Sequence, residues 1–259
     1  MDDAHPTDLA GHDPVVAGWR RPTADPMVGV CRPEEAPAPD VPLPDYLRNT
    51  YAWAYLNPVS RAIFDHPWVV SAILWGNANR LMTAAMDELR PGQSVLQTAC
   101  VYGNFSQRLA RRVGADGRLE VIDVAPIQVR HARRKLQSMP QARVRLADAA
   151  DLGPQCYDAI CCFFLIHEVP MDYKRQIIAG LLERVRPGGK VVFVDYHRPK
   201  RLHPLRPVMR LVFALLEPFA TEIWNHELSE LAPERHDISW SKKVYFGGLY
   251  QKVVARRAG

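Results

Sequence analysis

Five short stretches of the 259-residue chain combine residue types that can bind or react. The run Gln97-Thr98-Ala99-Cys100-Val101-Tyr102-Gly103 holds small residues that let a backbone turn approach a ligand closely. Asp123, with Val124, ends the next apolar run at the spacing from Gly103 where a carboxylate can accept both hydroxyls of a ribose. Asp148-Ala149 ends the apolar run before it in the same way. His167 opens His-Glu-Val-Pro and offers a base or a ligand, although a histidine held by loop hydrogen bonds is at least as common. Asp195-Tyr196-His197 closes a long apolar run, and alternation puts Asp195 and His197 on one side. With His167 near, that pair suits a divalent metal such as Mn²⁺, while a plain Asp–His hydrogen bond is the alternative. Acids at strand ends can equally cap helices.

These residues need a scaffold that brings strand ends together, and the patterning supplies one. Strands are expected over 94–98, 118–123, 144–147, 157–165 and 190–196, with helices over 105–113, 125–137 and 173–185 between them. The 157–165 run is almost wholly apolar, as a central parallel strand should be. Two further strands, 239–246 and 248–256, close the chain. The reading is an α/β sheet, mostly parallel, seven-stranded, with helices on both faces.

Before this alternation the texture differs. Residues 1–45 hold nine of the 22 prolines and no apolar period, so 1–43 is expected to be a disordered leader. Residues 44–90 read as a helical N-terminal extension over 45–56, 59–65 and from Pro67 towards Leu89, and 91–259 as the main domain. Tyr51, Trp53, Tyr55, Trp68 and Trp75 in that extension are expected either in the core or in the wall or lid of an apolar pocket.

Composition excludes several classes. Apolar residues are 47% and charged residues 24%, and the net charge of +5 suits an anionic partner without selecting it. Five cysteines without a C-x-x-C pair argue against structural zinc and for packed, reduced thiols. The acidic start lacks an apolar leader, so a cytoplasmic location is expected. Arg198, Lys200, Arg201, Arg206 and Arg210 follow one another with no acid between them, ahead of an apolar helix closed by Pro218. That collar suits peripheral contact with anionic lipid, or a cap packed on the sheet.

The loop V-L-Q-T-A-C-V-Y-G-N-F-S (95–106), Asp123, Asp148 and R-P-G-G-K-V-V-F-V-D (186–195) together resemble the class I S-adenosylmethionine (SAM)-dependent methyltransferases, which are Rossmann-like. The loop departs from that pattern. Gln97 stands at its acidic position, Ala99 and Val101 replace two glycines, and only Gly103 survives. A closer likeness, over about 42–256, is to the rhodoquinone biosynthesis (RquA) family: P-D-Y-L-R-N-T-Y-A-W-A-Y-L-N-P (44–58), I-L-W-G-N (73–77), L-Q-T-A-C-V-Y-G (96–103) and V-I-D-V-A-P-I-Q (121–128) carry it.

That resemblance implies exchange of a ubiquinone ring methoxy group for an amino group, with SAM as amino donor and manganese required. By carry-over, Asp123 with Val124 holds the ribose, Asp148 with Ala149 the adenine, and the loop of Gln97, Ala99, Val101, Tyr102 and Gly103 borders the methionine part. His167, Tyr196 and His197 are candidate proton acceptors, and Asp195, His197 and His167 candidate metal ligands. A lipid-soluble quinone implies a peripheral enzyme on the inner face of the membrane. Two other readings stand beside it: a conventional SAM-dependent methyltransferase on a quinone or phenol, and a non-catalytic partner in a quinone-biosynthesis complex. A nucleic-acid modifier is not expected, because the proline–aromatic loop of base methyltransferases is missing.

Overall fold

The computed structural model describes residues 66–259, with Pro44 and Leu47. The expected leader and the helices expected over 45–56 and 59–65, with Tyr51, Trp53 and Tyr55, lie outside the described residues. Seven strands form one sheet in the order β3-β2-β1-β4-β5-β7-β6. They are β1 (Ser94–Gln97), β2 (Arg118–Asp123), β3 (Ala142–Leu146), β4 (Tyr157–Phe163), β5 (Val185–Tyr196), β6 (Ile238–Tyr245) and β7 (Tyr250–Arg257). The first five pair in parallel, and β7 runs antiparallel to both β5 and β6. This is the Rossmann-like class I methyltransferase fold.

Its strand order fixes where a ligand can sit. From β1 the chain winds outward through β2 to β3, then returns to the other side of β1 as β4 and continues to β5. Loops after β1 and β4 therefore leave in opposite directions, opening a crevice at their carboxyl ends. Strand alternation builds a core on each face. Ala159, Cys161 and Phe163 of β4 join one apolar cluster, and Ile160 and Cys162 join the other. Helices α1 (Pro67–Ile73) and α2 (Ala78–Met86) precede β1. Helices α3 (Phe105–Val113), α4 (Pro126–Leu136) and α5 (Met171–Arg184) follow β1, β2 and β4, and α6 (Arg206–Leu216) follows β5. Leu81 of α2 and Leu109 of α3 pack in the first cluster, Ile177 and Leu181 of α5 in the second.

The expected helix from Pro67 towards Leu89 is two helices. The left-handed turn at Trp75 (φ 49°) and Gly76 (φ 76°) separates them. Asn77, buried, donates from Nδ2 to the carbonyls of Leu74 and Trp75 and holds the break. Trp68 is 80% exposed and Trp75 41%, so neither belongs to the core. After α2, Glu88 anchors this segment to the sheet by accepting from Lys252 (2.6 Å), Lys190 (3.1 Å) and Arg256 (2.8 Å). Strand β5 begins earlier than expected, at Val185, and runs through Pro187-Gly188-Gly189. Cys100, Cys161 and Cys162 are free and buried, whereas Cys156 is disulfide-bonded, against the expectation of reduced thiols.

Candidate functional site

A cleft of about 200 Å³ opens at the carboxyl ends of β1, β2, β4 and β5. One half is built on the small-residue loop. Asp123 at the end of β2 accepts from the backbone N–H of Cys100 (2.9 Å, Oδ2) and of Ala125 (2.8 Å, Oδ1). Burial pushes its pKa up to about 6, against the lowering by those N–H groups. Asp148 accepts from Ala150 N–H (2.9 Å) and from the Tyr173 hydroxyl (2.8 Å), and it lines the cleft beside Ala149. Ala99, Val101, Tyr102 and Val124 are also on the wall.

Two residues expected to touch the ligand do not line the cleft. Gln97 is fully buried beneath the loop and donates from Nε2 to Ala99 O (2.7 Å), which braces the turn from below. Gly103 sits at the loop's far end with φ 81°, its carbonyl accepting from Lys135.

The other half of the cleft is polar at its base and aromatic at its sides. His167 follows β4 in a short 3₁₀ turn, and its Nδ1 stands 2.8 Å from Oδ1 of Asp195 at the end of β5. Asp195 Oδ2 also accepts from His167 N–H (3.2 Å), and Oδ1 accepts from Tyr196 N–H (2.7 Å). His167 Nε2 is 3.8 Å from Glu168 and 3.8 Å from Glu217, beyond hydrogen-bond length to either. Burial lowers the histidine pKa, but the Asp195 carboxylate, then Glu217 and Glu168, overcome it and raise it to about 9. At neutral pH His167 is an imidazolium. It is therefore set to donate a proton or hydrogen bond, whereas the family resemblance offers it as an acceptor.

Tyr196 packs edge-on to His167 (ring centroids 4.8 Å apart), and burial pushes its hydroxyl far above the ordinary range. It is a neutral phenol and no better as a base. Phe164 completes the aromatic side, held in the left-handed region (φ 51°) at the strand end. His197 is absent from the cleft wall. Its Nδ1 is 2.8 Å from Gly248 O and its Nε2 3.5 Å from Lys242 Nζ, so the following loop turns it towards β6 and β7.

The metal that the family resemblance implies finds no fitting donor set. Asp195 accepts from two backbone N–H groups and faces the His167 ring at 2.8 Å, and His197 faces an ammonium group instead of a carboxylate. Among the described residues, no group of three or more His, Cys, Asp or Glu is placed to hold a metal ion.

Two features escaped the sequence. Glu217 reaches the cleft from the end of α6, far along the chain from His167. Glu168 stands within His-Glu-Val-Pro but carries no signal of its own. Val70 and Ile73 of α1, Leu74 just after it and Leu47 line an apolar wall, the pocket wall offered as one reading of this extension. Lys174, fully buried, ties this region together. Its ammonium donates to Val169 O, to Phe219 O (3.0 Å) and to Glu222 Oε2 (2.8 Å), so α5 fixes the segment that carries Glu217.

A mostly parallel seven-stranded sheet with this strand order is the fold of the class I methyltransferases, and a strand-end acid stands beside its small-residue loop. Residues 95–189 match the methyltransferase domain family. An uncharacterized methyltransferase from Synechocystis is 27% identical over 208 residues, 74% of this chain and 93% of that protein. A 2-phytyl-1,4-naphtoquinone methyltransferase from Thermosynechococcus vestitus is 29% identical over 115 residues, covering 44% of this chain and 50% of that one. The ubiquinone/menaquinone biosynthesis C-methyltransferase UbiE from Idiomarina loihiensis is 28% identical over 116 residues, 43% and 45% of the two chains. The chain thus spans about half the length of these quinone methyltransferases. Among solved structures, an O-methyltransferase family protein from Burkholderia thailandensis superposes with a TM-score of 0.59 at 13% identity, covering 81% of this chain and 63% of that one. The N-methyltransferase NodS from Bradyrhizobium japonicum, in complex with S-adenosyl-L-homocysteine, gives 0.52 at 16%, covering 80% and 96%. These two likenesses bear on the fold.

Proposed function

We propose that the chain is a SAM-dependent transferase acting on a lipid quinone, in which a ring methoxy group is exchanged for an amino group whose nitrogen comes from SAM. The observation that carries the quinone part is the continuity of the cleft from Asp123 and Asp148 to the His167–Asp195 pair under an apolar wall. Asp123 would hold the ribose diol and Asp148 the adenine amine. Ala99, Val101 and Tyr102 would border the methionine moiety. A quinone ring then fits between Phe164, Tyr196 and α1, with a carbonyl oxygen on His167 Nε2. An imidazolium there draws electron density from the ring and makes a substituted ring carbon easier to attack. The amine must lose a proton to attack, Glu217 and Glu168 are the acceptors placed for it, and the methoxy group leaves as methanol with a proton from His167. The SAM α-carbon then gives up its hydrogen, its two electrons reduce the quinone to the hydroquinone, and water hydrolyses the resulting imine to an α-keto acid and the free ring amine.

Two arguments support amination. One is the family resemblance in the N-terminal and loop segments. The other is the loop itself, where Val101 and Tyr102 add bulk beside the site for the methionine moiety. A rotated moiety presents its α-amino group where a methyl donor presents the sulfonium, and a displacement of about 1 Å can change the rate about a hundredfold. Methyl transfer is the second reading, favoured by the quinone methyltransferases among the relatives. At the membrane, the exposed faces of α1 and α6 and the basic collar before α6 would bring the cleft to its substrate. No described helix is long and apolar enough to cross a bilayer.

One experiment separates the readings. SAM labelled with ¹⁵N at the α-amino group and ¹³C at the methyl group is incubated with ubiquinone in detergent, and the quinone is analysed by mass spectrometry. The proposal expects ¹⁵N on the quinone with loss of the methoxy group. An unchanged ubiquinone overturns amination, and ¹³C label on a quinone with an open ring position or a free hydroxyl, offered in a parallel arm, establishes the methyltransferase reading.

A further inference from the structure

Outside the cleft, one recess has the lining of an anion site. Arg198, Arg206, Arg210, Thr221, Trp224 and Asn225 surround about 320 Å³ between the loop after β5, helix α6 and the short turn that follows it. Among the described residues, no carboxylate lines it. Arg206 Nε and the indole N–H of Trp224 are buried there without a hydrogen-bond partner among those residues. Trp224 is more than nine-tenths buried, its ring packed edge-on to Phe213, so its N–H cannot swing out to water. The Arg206 guanidinium is pushed below its ordinary range by desolvation and by Arg210, Arg198 and Arg201. Unpaired donors and mutually repelling cations are what a bound anion would relieve.

The surroundings point to the source of that anion. Helix α6, which carries Arg206 and Arg210, leaves Val208, Leu211 and Leu215 exposed, and Leu202 in the preceding loop is 96% exposed. Charge and apolar surface lie on one helix, which matches a molecule with a phosphate at one end and acyl chains at the other. We propose that this recess binds the phosphate of an anionic phospholipid. The inference deepens the membrane part of the proposed function and rests on it. The fork of an arginine fits phosphate oxygens, and Thr221, Asn225 and the indole N–H add neutral donors.

The test uses the full chain and co-sedimentation with vesicles of phosphatidylcholine alone or mixed with phosphatidylglycerol. The parent is expected to bind the mixed vesicles more tightly. Arg206→Gln with Arg210→Gln should weaken that binding about tenfold more than Lys200→Gln with Arg201→Gln, which removes the same charge outside the recess. Trp224→Phe, which keeps the ring and loses the donor, should weaken it a few-fold. Equal losses for both charge pairs, with no effect of Trp224→Phe, would mean a diffuse basic surface and overturn the site. Complete competition by sodium phosphate at matched phosphate concentration would assign the recess to a soluble phosphate and overturn the lipid. Failure of quinone turnover in the labelling experiment, with the arginine dependence intact, would sink the catalytic reading alone.

Discussion

At the scale of single residues, His167 is the sharpest case. Its neighbour Asp195 comes from another strand, and only the parallel pairing of β4 and β5 brings the two together. The sequence could offer both as polar residues at strand ends, but not the direction of the proton. A folded-state pKa of about 9 against 6.5 unfolded means the protonated pair stabilises the fold fully below pH 6.5 and loses that contribution as pH rises through 9. The shift corresponds to roughly 3 kcal/mol. Asp195→Asn removes the largest attraction and leaves Glu217 and Glu168 against burial, so an NMR titration should find the His167 pKa well below that of the parent. An imidazole that still titrates near 9 in that variant would remove Asp195 as the cause. Asp123 and Asp148, by contrast, line the cleft at the strand ends where their spacing puts them. Glu217 was not legible, since nothing in a helix end followed by proline marks it for the cleft.

Elements were legible in proportion to how local their causes are. Helix α3 and strand β2 match their sequence periods to the residue, because amphipathic alternation and flanking glycines set both ends. The break between α1 and α2 was hidden, since apolar residues continue through it and only the left-handed Trp75–Gly76 turn interrupts the helix. The buried lysine on α5 belongs to this scale too, because it joins three elements. Lys174→Met leaves two carbonyls and the Glu222 carboxylate without their donor, and should cost about 3–5 kcal/mol in a urea melt. A loss under about 1 kcal/mol would show that the 217–224 segment is held by its apolar packing. Glu88 makes a milder, pH-dependent anchor. Burial opposes its ionisation, but Lys252 and Lys190 win and hold its pKa at about 2. Its contribution is therefore present above pH 4.5 and lost as pH falls towards 2. Glu88→Gln should lower the melting stability by roughly 1–2 kcal/mol at pH 7, and the gap to the parent should shrink as pH falls below 4.5 and close towards pH 2.

For the whole molecule, the strand order places every proposed function on one edge of the sheet. The residues proposed for the cofactor come from the β1, β2 and β3 ends, and those proposed for the quinone from the β4 and β5 ends and α1. The central claim is that SAM occupies the first of these with its ribose on Asp123. Because Asp123 titrates at about 6, it is an acceptor at pH 7 and is increasingly protonated below pH 6. Isothermal titration calorimetry with SAM at pH 7 and pH 5, on the parent and on Asp123→Ala, tests this directly. The account predicts affinity about tenfold weaker at pH 5 for the parent. For Asp123→Ala it predicts a loss on the order of 2–4 kcal/mol at pH 7, with no further loss at pH 5. Parent-like affinity in Asp123→Ala would contradict the placement of the cofactor and with it the assignment of the cleft.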